Sequence, residues 1–373
     1  MRRLTIPGRK DWQERVSSQG LTFHSRTAPY WNEEACYVFT EDQITELEKA
    51  ANSVHELYLQ GAQHVIDNGL FDRLAIDSEV AELVFDSWKK SEQHLYGRFD
   101  FAYDGTSPPK LLEYNADTPT SLLEASVIQW FWLQDLMPTR DQFNSLHEKL
   151  IDRWKTLGLS SRKIYFTTVG DNEEDTMTAS YLQDTAAQAG FYTDFIEIGD
   201  IGYNSERKEF VDPKEKNIET LFKLYPWEWI VNEEFSDHIM TAKTRFVEPA
   251  WKMLWSNKGM LPILYELAPN HPNILPAYTT SKPLDNCWIR KPLLSREGAN
   301  MSVRNGSERF ETGGEYGEEG YVYQKYISPK SFDGNYPVLG LWMIGDEACG
   351  MGIRESASKI TDNLSRFTPH IIE

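Results

Sequence analysis

Apolar residues recur three and four positions apart at Ile44, Leu47, Ala51, Val54, Tyr58 and Val65, with one skip at Gly61. That spacing is the buried stripe of an α-helix. Thr40 and Gln43 sit just ahead of it with the spacing of a capping box, in which each side chain satisfies a backbone N–H of the first turn. A second helix is expected over 78–94. The period then changes. Y-G-R-F-D-F-A-Y at 96–103 alternates aromatic and polar residues, the two-residue repeat of a strand. Asp104-Gly105 opens a turn, Pro108-Pro109 follows, and K-L-L-E-Y-N at 110–115 completes a hairpin. Residues 121–135 and 142–157 read as helices.

From about residue 160 a different pattern begins. A β-rich run at 163–169, a helix at 175–190 ending on glycine and a strand at 191–198 follow one another. Strand, helix, strand is the order of a parallel pair with a helical crossover, and it predicts a small α/β unit that closes near 223–229. Beyond 245 come a helical segment at 248–264, strands at 287–292 and 321–326, and a hairpin over 338–355 turning at Gly345-Asp346-Glu347. No internal repeat or low-complexity stretch interrupts the chain. The expected class is α+β or α/β in three parts. These are 1–158, N-terminal helices plus the hairpin; 159–244, a small α/β substrate subdomain; and 245–373, a C-terminal part with its own strands and loop.

Composition narrows the functional classes. The 373 residues carry a formal charge of −19, and 12 Trp and 18 Phe supply ample core material. A surface this acidic repels nucleic acid and anionic membrane. It is compatible with a cationic substrate such as a polyamine, and equally with simple solubility. Cys36, Cys287 and Cys349 are too far apart for a C-x-x-C pair or a disulfide framework, so reduced thiols are expected. The two N-terminal arginines have no apolar run after them, and no apolar run is long enough to span a bilayer. A soluble, cytoplasmic protein is the expectation.

The hairpin carries the first candidate chemistry. Alternate side chains of a strand share a face, so Arg98 lies with Asp100, and Glu113 with Asn115, with Asp117 continuing beyond. If the strands pair, three carboxylates, an amide and a guanidinium converge. Hard oxygen ligands of this kind suit Mg²⁺ with phosphate. The same pattern also describes an exposed charged hairpin with one Arg–Asp ion pair. Thr118, Thr120 and Ser121 crowd hydroxyls beside the acids, either to hold a substrate or, for Ser121, to cap the helix that follows. Lys258 on the helical segment and Lys291 in W-I-R-K-P are each ordinary surface lysines alone. Beside the loop S-R-E-G-A-N at 295–300 they look like a phosphate clamp, because Gly298 permits close backbone approach and Arg296 can fork onto oxygens. Arg354 is a further late cation. Neither a Walker A loop nor G-x-G-x-x-G is present, nor the H-R-D and D-F-G of kinases.

R-F-D-F at 98–101, E-Y-N-A-D at 113–117, S-N-K at 256–258, K-P-L-L-S-R-E-G-A-N at 291–300 and G-I-R-E at 352–355, in this order, resemble the synthetase domain of the glutathionylspermidine synthase family. The resemblance covers nearly the whole chain and points to the stand-alone bacterial members, acid–amine ligases by name. It implies a permuted ATP-grasp fold, in which metal-binding strands precede the nucleotide-clamping lysines. It implies ATP and two Mg²⁺ ions as cofactors, the metals on Asp100, Glu113 and Asn115. Arg98 would touch ATP and steady an oxyanion, with Phe99 and Asp100 beside it in the nucleotide site. Lys258, Lys291 and Arg354 would face phosphates, Arg296, Glu297 and Gly298 would form a mobile lid, and Gln324, Lys325 and Tyr326 would border adenine. Thr118 and Thr120 match substrate-holding positions, and Glu173 and Glu174, in D-N-E-E-D-T, an acidic pair for amine or peptide.

The implied reaction joins a small-molecule acid to an amine through an acyl phosphate. The rival reading is a catalytically degenerate ATP-grasp protein that only binds nucleotide. Two departures from the family matter. There is no room for the amidase domain of the bifunctional members. K-L-Y-P-W-E-W at 223–229 replaces K-T-W-A-W-E-T, so Leu224 and Trp229 stand where glutathione-using members carry threonines. Lost hydroxyls argue against glutathione itself.

Overall fold

A computed structural model describes residues 1–25, 29–170, 172–360 and 365–373. The capped helix forms as expected over Glu41–Asn68. Thr40 accepts from the Gln43 N–H at 3.3 Å, Gln43 accepts from the Thr40 N–H at 3.2 Å, and Gly69 closes the far end in the left-handed region. Every residue of its predicted stripe is buried. Gly61, the skipped position, is buried as well, and a Cβ there would come within 2.8 Å of Leu264.

This helix packs on one face of an antiparallel sheet. The strand order is Arg366–Phe367, Glu347–Ser356, Tyr336–Ile344, Tyr96–Ala102 and Lys110–Asn115. The early hairpin therefore completes its sheet with strands from the far end of the chain. Alternation sorts the faces. Phe99 and Phe101 are fully buried, Phe99 stacks on Tyr114 at 3.8 Å and 22°, and both meet Tyr58 of the long helix. Arg98 and Asp100 point the other way.

A second five-stranded sheet runs Ala277–Tyr278, Tyr321–Lys325, Cys287–Pro292, Ser302–Asn305 and Glu308–Glu311. Its Lys291 donates to the Leu112 carbonyl at 2.8 Å, and its Gln324 donates to the Leu111 carbonyl at 3.0 Å. Those carbonyls belong to the edge strand Lys110–Asn115, so the two sheets are stitched side to side. The third sheet is parallel, ordered Arg245–Val247, Thr220–Leu224, Lys163–Thr168 and Tyr192–Phe195. The helix Glu173–Gln188 is the crossover between its outer pair, as the strand–helix–strand pattern predicted. Trp154 of the helix Leu146–Thr156 packs against Phe166 and Phe222 of this sheet. None of the described helices is long and apolar enough to cross a membrane.

Three local expectations fail. The helical segment over 248–264 is two short helices, Met253–Ser256 and Met260–Leu267, separated at an extended Asn257. Pro262 fits only a first helical turn, which forces a fresh start. The Asn257 side chain takes the Gly259 N–H at 2.8 Å and donates to the Leu74 carbonyl at 2.7 Å, so the break is fully hydrogen-bonded. Residues 121–135 are not one regular helix either: a π turn, Glu124–Ile128, precedes the α-helix Gln129–Leu136. Ser121 turns its hydroxyl to Tyr30 at 3.2 Å instead of to a helix start.

Candidate active site

The three sheets surround a cavity of about 830 Å³, a size that suits a nucleotide with a small second substrate. The hairpin supplies one wall. Arg98 pairs directly with Asn115, and Asp100 with Glu113, so the four polar side chains share the cavity face. A bulge after Asp100 shifts the register, and pairing resumes with Phe101 opposite Leu111. Arg98 lies across Gly340 of the neighbouring strand, where a Cβ would meet its chain at 2.7 Å; only glycine leaves that path open. Its guanidinium forks onto Asp100 at 2.7 and 3.1 Å and donates to the Thr120 carbonyl at 2.7 Å. Three of five N–H groups are engaged, leaving two for a ligand.

Asp117 does not join this patch. It is buried and turned away, accepting from the Lys223 ammonium at 2.5 Å and from the Trp227 N–H at 2.9 Å. The expected three carboxylates are therefore two. The reason is tertiary: the parallel sheet brings a lysine up behind the hairpin, and a buried carboxylate follows its counter-charge.

The second sheet and the helix break at Asn257 supply the cations. Lys258, carried by the break at Asn257, is 3.1 Å from Glu113 and donates to the Ser295 carbonyl at 2.5 Å. Lys291 reaches Gln324 at 2.9 Å besides the Leu112 carbonyl. Burial pulls the Lys291 ammonium down to about 8, against the pull of Glu113. Burial would raise Glu113, but Lys258 and Lys291 outweigh it and hold its carboxyl below the usual range, ionised. Glu113 is thus an oxygen donor already charged, Asp100 lies beside the Arg98 guanidinium, and Asn115 donates its amide to Asp100 at 3.2 Å. This donor set fits a hard divalent cation that keeps several waters.

The loop after Lys291 folds over the cavity. Glu297, Gly298 and Asn300 all adopt left-handed backbone, Thr312 donates to the Gly298 carbonyl at 2.5 Å, and Asn300 bonds the Tyr316 carbonyl. Arg296 latches the loop across the cavity, donating to Thr118 at 2.8 Å and Glu228 at 2.7 Å. Glu297, Gly298, Gln324, Lys325, Tyr326 and Arg354 all line the space. The N–H groups of Lys325 and Tyr326 already donate, to the Pro276 and Cys287 carbonyls, at 2.7 and 3.3 Å. Leu275, Ile289 and Met301 give that end an apolar surface. The Phe99 side chain is in the core behind the sheet, so only its backbone faces this neighbourhood.

The opposite end is built by Thr118, Thr120 and the start of the helix Glu173–Gln188. Asn172 caps that helix, accepting from the N–H groups of Glu174 at 3.1 Å and Asp175 at 3.3 Å. Glu174 and Asp175 face the cavity. Glu173 does not; it accepts from the Thr22 hydroxyl at 2.7 Å outside it. Asp171 of the same motif lies outside the described residues. Burial and the neighbouring Glu174 raise the Asp175 carboxyl to about 7 despite Arg296. Glu124, fully buried and bonded to the Tyr30 hydroxyl at 2.6 Å, is raised to about 7 by burial and Glu174. Leu224 and Trp229, the two departures noted in the sequence, both line this end.

Sequence reasoning missed Asp175, Glu124, Tyr30 and Glu228. Asp175 adjoins the acidic pair and was within reach of a helix-periodicity argument. The others carried no local signal.

The profile of the family described as glutathionylspermidine synthase preATP-grasp matches residues 3–373. A Haemophilus influenzae protein named "Putative acid–amine ligase" is 45% identical over 99% of both chains. The trypanothione synthetase of Crithidia fasciculata is 32% identical over 84% of this chain and 53% of its own length, so the chain spans about half of that relative. Among solved structures, a glutathione synthetase-like effector from Globodera pallida superposes with a TM-score of 0.57 over 91% of this chain and 89% of its own, at 10% identity. That likeness is one of fold alone.

Proposed function

The chain belongs to the glutathionylspermidine synthase family, and from that premise we propose that it is an ATP- and Mg²⁺-dependent carbon–nitrogen ligase joining a small carboxylic acid to an amine. The observation that carries the reading is the convergence of Asp100, Glu113, Asn115 and Lys291 on the cavity, with Lys258 against Glu113 at 3.1 Å. The names of the relatives support the ligase class. The hairpin preceding the lysines in the chain supports a permuted ATP-grasp arrangement with parts at 1–158, 159–244 and 245–373.

Two Mg²⁺ ions on Asp100, Glu113 and Asn115 would offset phosphate charge when bound. Lys258, Lys291 and Arg354 hold the phosphates, and the apolar end near Ile289 and Tyr326 holds the base. A carboxylate oxygen of the acid attacks the γ-phosphorus, and the P–O bond to ADP breaks with its electron pair. A neutral amine then attacks the carbonyl carbon of the acyl phosphate. Negative charge gathers on the carbonyl oxygen, where the two spare N–H groups of Arg98 serve best because that charge exists only then. Phosphate leaves, and the amine proton passes to solvent or to the phosphate. Arg296 and its loop exclude water from the acyl phosphate. Glu174 and Asp175 attract the distal ammonium of the amine, while Leu224 and Trp229 shape a tighter, less polar place for the acid than a glutathione site.

The test is a matrix of amino acids, dipeptides and polyamines, with ADP release and product mass read together. At least one acid and amine pair gives stoichiometric ADP and the condensed product. Mg·ATP binding without ADP from any pair would assign the chain to nucleotide binding alone.

A further inference from the structure

On the face of the molecule occupied by the long helix, away from the cavity, two imidazoles converge on one carboxylate. His55 of the helix Glu41–Asn68 and His94 ahead of the strand Tyr96–Ala102 each place Nε2 at 3.0 Å from the same oxygen, Oδ1 of Asp346. The rings are buried, 1% and 4% exposed, while the Asp346 side chain is 61% exposed in the turn between the last two long strands. All three ligand atoms lie within 4.8 Å of one another.

Contacts outside the trio hold it in place. Gly345 adopts φ 55° and donates its N–H to the Leu95 carbonyl at 2.8 Å. Ala348 donates to Asn52, one helical turn from His55, at 2.9 Å. Arg153 donates to the His94 carbonyl at 2.8 Å. The rings themselves are walled by tryptophan: Trp255 meets His55 and His94 edge-to-face at 5.1 and 5.3 Å. The turn, the helix and the segment before the strand are thus fixed relative to one another without help from the three ligands. A site assembled on rigid elements in this way is preorganised for its ligand.

Without an ion, each Nε2–H donates to the Asp346 carboxylate. Both Nδ1 atoms are buried with no hydrogen-bond partner, so ligation through Nε2, which moves each proton to Nδ1, has to outweigh the cost of two buried N–H donors. If Nδ1 carries the proton, two nitrogen lone pairs and a carboxylate oxygen face one point, a repulsive grouping that a cation converts into a ligand set. Imidazole and carboxylate suit borderline metals such as Zn²⁺, and are a poor set for Mg²⁺. Tetrahedral bonds of about 2.1 Å set ligand atoms about 3.4 Å apart, so a bound ion moves Asp346 Oδ1 out from 3.0 Å by a few tenths of an ångström and sets the two nitrogens, now within 4.8 Å, at the same spacing. The exposed side of Asp346 leaves room for water as the fourth ligand.

We propose that His55, His94 and Asp346 form a divalent transition-metal site of the zinc type, separate from the nucleotide cavity, that clips the long helix to the hairpin turn 344–347. A bound ion there ties the long helix to one end of the sheet that carries Arg98 and Asp100, where Tyr96 pairs with Ile344, and it acts on stability.

The full-length protein, stripped with chelator and held in excess Mg²⁺, is titrated with ZnCl₂ by calorimetry and with CoCl₂ by visible absorption. A saturable site, tetrahedral Co²⁺ bands displaced by Zn²⁺, and a Zn²⁺-dependent rise in Tm are expected. Asp346→Asn, an exposed substitution, and His94→Gln should each weaken Zn²⁺ binding by more than about 100-fold and abolish the Tm rise. Circular dichroism confirms that the variants fold, and Asp346→Asn keeps its ATP-dependent turnover. No saturable binding to the parent, or binding unchanged in both variants, overturns the site.

Discussion

The two ends of the cavity treat charge in opposite ways. At the hairpin end each acid has a cation beside it: Asp100 lies on Arg98 at 2.7 Å, and Glu113 has Lys258 at 3.1 Å. Glu113 is held down and Lys291 is pulled down to about 8. At the other end Glu124, Glu174 and Asp175 crowd together, and Glu124 and Asp175 are raised to about 7. Burial costs both ends. One end offsets it internally, with lysines and an arginine. The other leaves it to be offset by protons or by a cationic ligand. A polyphosphate with its metals suits the first state, and an ammonium suits the second.

The sharpest way to break this comparison is at the paired end. Asp100→Ala and Glu113→Ala should each lower ATP-dependent phosphate release by about a thousandfold or more, since they remove metal oxygens and leave a cation unpaired. Turnover surviving in both variants means the hairpin holds no metal. Next is Arg98→Ala. It should cost about 10²–10³-fold in kcat and leave ATP affinity near that of the parent, because its spare donors meet charge only in the transition state. If ATP affinity falls as far as kcat, Arg98 is a ground-state nucleotide ligand.

The acidic end should respond more mildly and more selectively. Glu174→Gln raises KM for a cationic amine by about tenfold, the worth of one screened charge, and leaves KM for ATP alone. Equal rises in both constants would erase the division between the ends. The smallest effect is on stability. The Asp175 carboxyl is raised on folding, so its favourable contribution is present below its ordinary value of 3.8 and lost as pH rises through about 7. Asp175→Asn lacks that loss. Its stability, read from urea midpoints, should gain on the parent between pH 3.8 and about 7, level off above that, and show no gain from this source near pH 3.5. A constant difference at all pH values means the carboxyl titrates alike in the folded and unfolded states.

Much of the hairpin was legible in the chain. Its strands lie within one residue of where the alternation of 96–103 and the run 110–115 placed them, and Arg98, Asp100, Glu113 and Asn115 share a face. The capping box and stripe of the long helix were equally plain. These features depend on neighbours within a few positions, where backbone period and side-chain reach leave little choice. The break at Asn257 was less plain, though Pro262 signalled it. The fate of Asp117 was not legible at all. It continues the alternation of Glu113 and Asn115 but lies against Lys223, more than a hundred positions away.

The sequence by itself determined the long capped helix and the hairpin, the face on which Arg98 and Asp100 lie, and, through ordered motifs, the family. The tertiary structure decided which charges meet. It put Lys258 on a helix break beside Glu113, sent Glu173 outward and Asp175 inward, and gathered His55, His94 and Asp346 at one point. Local periodicity orients a side chain relative to its own strand or helix. The partner it finds and the water it loses are set by segments that approach only when the chain has folded, and those two quantities fix its charge.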